Sequence, residues 1–597
     1  MTDPRHRISR RGAACSVSRS TTDLGSTFLN AMNHVIPGFA ATLAAALAVG
    51  VANARAQSAE VTSAASASAH VASASPSAAT YAYVHHPVST DNPAAQFAFD
   101  RGLTMLFAYE HWEAQQAFRQ AARLDPSLAM AWWGVGVSVG PNINWEPTPE
   151  ATVTAAEALA RATQLAAKRA TESERDYIAA LSTRYTSAPD PDFDQLATRY
   201  RNAMRAVVQK YPEDPDARTL FAEAIMDLHP WRLWNASGDP ETGTQELVED
   251  IEQGLASQPN HLGLLHLYIH AVEASHDPAR AFPAAHRLAA LPMEPAAAHL
   301  VHMPAHIYMR VGDWEAAVEA NEHATHDALD YKLSNNPKAD RACGHCADFL
   351  AYAYMMQGNQ ARARQAAENY QKMNDDPSNA IAVLVRFRKW DELLAFPEPA
   401  EQLKIDTHDA HALRGFWHFA RGLAFAARRR IDQSQAELDA LRAETALAPA
   451  AASFDGPPDV QHVLDKITKS VDAYDLKIGA AILGSRIAEA QRRTPQALEL
   501  MRTAVKLQDE MPYSEPPPWF YPVGESLGAL LLRSRSPSES EAAFRATLQR
   551  SPNDPRALLG LSAALRAQGR KAEAAAQKAH FQVAWQFSDV PVAVEDL

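Results

Sequence analysis

From residue 93 to residue 590 the apolar and polar positions read as helices of about 12 to 16 residues separated by short breaks. Several breaks share one form: Leu124-Asp125-Pro126 near the start, Arg550-Ser551-Pro552 near the end. Recurrence of that kind points to an internal repeat. The tetratricopeptide repeat fits: 34 residues folded as a helix pair. It needs small residues near positions 8, 20 and 27, where helices cross closely, bulky ones near 4, 7, 11 and 24, and proline near 32. A repeat beginning at Ala95 puts Gly102, Ala114, Phe118, Ala121 and Pro126 at 8, 20, 24, 27 and 32. The next begins 34 residues later at Ala129. A second pair in the same register begins at Tyr521 and Pro555, with Gly528 at 8 and Phe544 at 24. Further units begin near Leu262, Ala298, Gly344, Gly415 and Ile478, with irregular spacing that implies inserted loops. The expected fold is an all-α solenoid of tetratricopeptide helix-turn-helix repeats. It divides into N-terminal repeats (93–235), central repeats (236–375) and C-terminal repeats (376–590).

The first 92 residues break this pattern. Residues 35–52 form an uncharged apolar run followed by Ala54-Arg55-Ala56, which reads as a secretory signal peptide over 1–56. Eighteen residues, seven of them alanine, are short and weakly apolar for a membrane anchor. A start at Met32 would leave a compact signal peptide. Residues 57–92 read as an Ala/Ser-rich flexible leader. The expectation is an exported protein, periplasmic or secreted, with no stable membrane span after cleavage.

Composition narrows the partners. The chain has 597 residues, 56 Lys+Arg against 70 Asp+Glu, and a net charge of −14. An acidic chain without a dense basic stripe argues against nucleic acid. Glycine is scarce, at 24 residues, which suits close-packed helices. Of 23 histidines, 11 crowd between His261 and His345, where an even spread would put about three.

The sequence resembles a family of exported bacterial tetratricopeptide proteins that have a histidine-rich central segment and no established activity. Phe107-Ala108-Tyr109-Glu110-His111-Trp112-Glu113-Ala114 carries the likeness first, followed by Trp132-Trp133-Gly134 and Gly140-Pro141-Asn142-Ile143-Asn144. Residues 266–273 (HLYIHAVE), 299–308 (HLVHMPAHIY) and 515–523 (EPPPWFYPV) carry it further. Two departures stand out. Asp348 occupies a place where the family tends to have a second histidine after His345, and Gly524 one where arginine is usual. The resemblance implies the fold and little mechanism.

The repeat register gives the histidines a direction. In a tetratricopeptide superhelix, positions 2, 5, 9 and 12 of each first helix face the concave groove. His266 and His302 fall at position 5, His270 and His306 at 9, His299 and His345 at 2. Asp348 falls at 5 and Tyr352 at 9 of the Gly344 unit, and Glu273, Met309 and Met355 at 12. His276, His286, His323 and His326 drop out of the groove, and His261 precedes it. Imidazoles at i and i+4 can share a metal, and a neighbouring helix can complete the site. The candidate ligands are His266, His270, His302 and His306, then His299, His345, Asp348 and Glu273. Zinc, copper and iron all suit such donors, and the two methionines lean toward copper. A vacant coordination position would permit hydrolytic or oxidative chemistry. The competing class is a non-catalytic scaffold that holds a peptide or protein segment in the groove.

Other motifs are weaker. Cys343-Gly344-His345-Cys346 has redox-motif spacing, but its flanks are helical repeat rather than βαβ. A local disulfide or thiol ligands to the metal are the alternatives. His111, Asn142, Asn144 and Trp145 could close one end of the groove but read first as turn packing, Trp231 and Trp234 read as loop packing, and Glu515–Tyr521 as a rigid elbow rather than a substrate platform. A phosphate-binding loop and an H-E-x-x-H motif are both absent.

Overall fold

A computed structural model describes residues 81–144, 149–186, 192–235, 238–334, 340–399, 408–448 and 460–597. The chain divides into two units, Met1–Ala79 and Thr80–Leu597, and the description concerns the second. The signal-peptide reading of 1–56 lies outside the described residues, as does the leader up to residue 80. The second unit is an all-α solenoid of tetratricopeptide-like helix pairs, each helix packed on the next. Among the described residues, no helix is long and apolar enough to cross a membrane.

The N-terminal repeat shows how the sequence makes this architecture. Helix Pro93–Phe107 starts where Asn92 accepts a hydrogen bond from the Ala94 amide, with Pro93 preset for the first turn. It packs on His111–Leu124, which packs in turn on Ala129–Val137. Phe118 is the wedge between them. A Cβ at Gly102 would lie 2.7 Å from its ring, and one at Gly134 only 2.2 Å away. The C-terminal repeat copies this: Phe544 would lie 2.7 Å from a Cβ at Gly528 and 2.1 Å from one at Gly560. Counted from Ala129 and Pro555, Gly134 and Gly560 both stand at position 6. The aromatic at position 24 is therefore clasped by glycines of two successive repeats, a pattern of close approach that only a missing side chain permits.

The expected flexible leader over 57–92 needs correction at its C-terminal end. Residues 81–92 lie along the solenoid and are tied to it. The Tyr83 hydroxyl donates to Glu294 at 2.6 Å, and the Val84 amide to the Thr104 hydroxyl at 2.9 Å. His86 Nδ1 meets Asp216 at 2.8 Å, and the Ser89 amide donates to Glu174 at 2.7 Å. Composition favoured disorder, but residues 81–92 carry the polar groups that satisfy buried carboxylates.

Three central segments carry the histidines. Helix Leu262–Val272 is buried on every side and begins at His261, whose ring accepts from the Leu264 amide. The next first helix is split into Ala298–His302 and Pro304–Val311. The split follows from Pro304, which has no N–H to give to the preceding turn. The third is Asp340–Gln357, which starts ahead of the expected Gly344.

Candidate metal centre

Six histidines form two groups of three. His266, His270 and His299 offer ligand atoms all within 4.8 Å of one another, and so do His302, His306 and His345. Each group has the same construction: an i, i+4 pair from one repeat plus the position-2 histidine of the next repeat. The site is thus built twice, one repeat apart. His266, His270, His302 and His306 are buried, His299 is half-buried, and His345 is exposed. Each group therefore has two histidines inside and one nearer the mouth.

Hydrogen-bond partners decide which nitrogen of each inner histidine faces inward. His266 Nδ1 lies 2.6 Å from the Phe107 carbonyl oxygen. His270 Nδ1 lies 2.8 Å from Glu273 Oε1, and His306 Nδ1 lies 2.6 Å from Glu273 Oε2. His302 Nδ1 lies 2.6 Å from Asn321 Oδ1, whose orientation is fixed because Asn321 Nδ2 donates to the Ala317 carbonyl at 2.7 Å. All four partners are acceptors, so each Nδ1 carries a proton, and in the neutral ring each Nε2 presents a lone pair.

Those lone pairs meet. His302 Nε2 and His306 Nε2 stand 2.9 Å apart, and His270 Nε2 is buried without a partner among the described residues. His266 Nε2 faces His299 Nε2 at 3.1 Å. Burial, helped by the neighbouring imidazoles, holds His266, His299 and His302 well below the ordinary histidine range. Neutral rings at His266 and His302, with their Nε2 lone pairs turned inward, make an electron-rich pocket that a cation would satisfy.

Glu273 braces both groups from behind. Burial alone would push its carboxyl up, but His306 and His270 outweigh that and hold it at about 2. Tyr513 donates to Glu515 and lies 3.4 Å from Glu273. Burial, with help from Glu273, pushes Glu515 up to about 8. The expected rigid elbow thus reaches the site through Tyr513. Carboxylate–imidazole pairs of this kind orient ligand rings.

Asp348 stands apart from both groups. Its Oδ1 accepts from Asn379 Nδ2 at 2.8 Å, and burial pushes its carboxyl up to about 6. Met309 lines a cavity of about 900 Å³ beside the site, together with Tyr352, Trp231, Tyr513 and Glu515. Met355 belongs to the core that follows the histidine repeats. Cys346 is buried, and the Cys343 side chain lies outside the described residues. A third group, His86, Asp214 and Asp216, ties the N-terminal strap down. Asp216 takes His86 and His261 at 2.8 and 2.9 Å, while Asp214 caps a helix and accepts from the Tyr177 hydroxyl.

Several site residues escaped the sequence reading. The Tyr109 ring sits 4.6 Å from His266 and 5.7 Å from His299, aimed there by a left-handed turn at φ 59°. Phe349 takes the matching place in the second group, 4.6 Å from His302 and 4.9 Å from both His306 and His345. Trp231 packs edge-on to His270 at 5.8 Å, with its indole N–H held by Asn144 at 3.1 Å. Asn142 in turn donates to His111 Nε2 at 3.1 Å. Tyr109, His111, Asn142 and Asn144 all lie in the stretches that carry the family likeness, which was the available signal.

No protein-family profile and no curated protein matches the chain. Among solved structures, the human IFIT1 dimer with PPP-AAAA is similar over 81% of this chain and 88% of its own, at 13% identity and a TM-score of 0.29. The human IFIT1 dimer with m7Gppp-AAAA is similar over 83% and 91%, at 14% identity and the same TM-score.

Proposed function

We propose that this chain is an exported tetratricopeptide protein that binds metal ions in its two histidine triads. One observation carries the proposal: His302 and His306 point lone pairs at each other across 2.9 Å, with both Nδ1 atoms committed elsewhere. A cation bound by both nitrogens relieves that contact, and burial disfavours a proton on His302. A metal ion uses both lone pairs, and the outward hydrogen bonds match the support that metal-bound imidazoles receive. Three nitrogens per ion leave a position open, as catalytic centres require. Elemental analysis of the purified protein, followed by titration of the metal-free form with zinc and copper, tests this. Stoichiometric uptake that H302A/H306A reduces is expected. Absence of bound metal and of uptake would overturn it.

A peptide-binding scaffold is the second reading, favoured by the aromatic-walled cavity of about 900 Å³ beside the site. Under it, replacing Trp234 with alanine weakens partner capture and leaves metal content unchanged.

A further inference from the structure

The two triads abut. Ring centroids within the triads are separated by 4.8 to 6.2 Å. Between the triads, His270 lies 5.6 Å from His306, and His299 lies 6.1 Å from His302. The gap between sites is no wider than the spacing inside one. Glu273 reinforces the pairing, because its two oxygens hold one histidine from each triad. Since it engages the outward Nδ1 atoms, its hydrogen bonds leave the inward Nε2 faces open.

The facing nitrogens also set a geometry. At a metal–nitrogen distance of about 2.1 Å, nitrogens 2.9 and 3.1 Å apart subtend about 90°. A tetrahedral ion would hold them near 3.4 Å. An angle of about 90° with all-imidazole donors is the preference of a tetragonal ion, copper(II) before the others. Three imidazoles fill three corners of such an ion. The fourth corner of each can be filled by one shared ligand, since among the described residues no carboxylate joins either triad.

We infer that the six histidines hold a pair of copper ions that share one small oxygen-donor ligand, of the hydroxide or peroxide class, between them. The inference rests on the metal-binding proposal and goes beyond it in two respects: the identity of the ions and their coupling. A shared oxygen atom pairs the unpaired electrons of two copper(II) ions, so the loaded centre is silent in electron paramagnetic resonance although copper is present. Entry is from the side of His299 and His345, the less buried member of each triad.

Titration of the metal-free protein with copper(II), read by metal content and by spin counting, tests the inference. Two coppers per chain are expected, with the integrated signal below about one fifth of the copper present. H302A/H306A should retain one copper per chain and recover its full signal. H345A, altered at the exposed mouth, provides a milder second variant, and circular dichroism checks that each keeps its helices. Two coppers with full signal, or one copper per wild-type chain, overturns the coupled pair while leaving metal binding intact. Uptake of neither zinc nor copper overturns the underlying proposal instead.

Discussion

His302 and His306 stand on opposite sides of the break at Pro304, yet their Nε2 atoms meet at 2.9 Å. Their Nδ1 atoms are held by Asn321 and Glu273, so neither ring can turn its proton inward without breaking a buried hydrogen bond. Breaking one costs about 1 to 3 kcal/mol.

Glu273→Gln tests the brace. An amide offers one acceptor and one donor, so it supports one of the two histidines and opposes the other. Affinity for at least one ion should fall about 10- to 100-fold, read by competition with a chelator. Helix content should stay the same.

Acid should destabilise the metal-free protein. His266, His299 and His302 are held below their unfolded value of 6.5. Below that pH the unfolded chain takes up protons that the folded chain refuses. Stability is therefore full above pH 6.5 and falls as the pH drops beneath it, by up to about 1.4 kcal/mol per pH unit for each such histidine. Glu273 adds a further loss between 4.5 and about 2, because its folded value is depressed. Urea midpoints of the metal-free form at pH 7.5, 6 and 5 check this. Bound metal should flatten the upper part of the decline.

Gly560→Ala should destabilise the C-terminal repeat by about 1 to 3 kcal/mol, since its Cβ would lie 2.1 Å from Phe544. Gly134→Ala should do the same against Phe118, at 2.2 Å. Gly136→Ala would meet Leu159 at 3.1 Å and should cost less. Thermal melts of the three variants compare them.

Asp216→Ala removes the carboxylate that holds both His86 and His261. The strap over residues 81–92 should loosen, and limited proteolysis should cut there at least several times faster than in the wild type. Unchanged cleavage would mean that Tyr83, Val84 and Ser89 hold the strap without it.

Much of the solenoid was legible in the sequence. Phe118 and Phe544 at position 24, with Gly102 and Gly528 at position 8, are local signals repeated in register. The glycines at position 6, Gly134 and Gly560, were not recognised because their partner belongs to the preceding repeat. The strap reads as part of the leader because the alanine- and serine-rich residues 57–80 ahead of it dominate the composition of 57–92. Asp348 shares a register position with His266 and His302, but the helix Ser378–Arg386 of the following repeat supplies Asn379 as a partner, and it turns to that.

Helical period and repeat length are properties of neighbouring residues, so the sequence alone determined the helix pairs and the inward stripe of His266, His270, His302 and His306. It could not determine how those stripes group. Closing each triad with the position-2 histidine of the following repeat, and tying both to Glu273, depends on how successive repeats stack. So do the tautomers, which are decided by the Phe107 carbonyl, 159 residues from His266 in sequence, and by Asn321 on a neighbouring helix. Such contacts arise from packing between distant segments, and only the tertiary structure brings them within hydrogen-bonding reach.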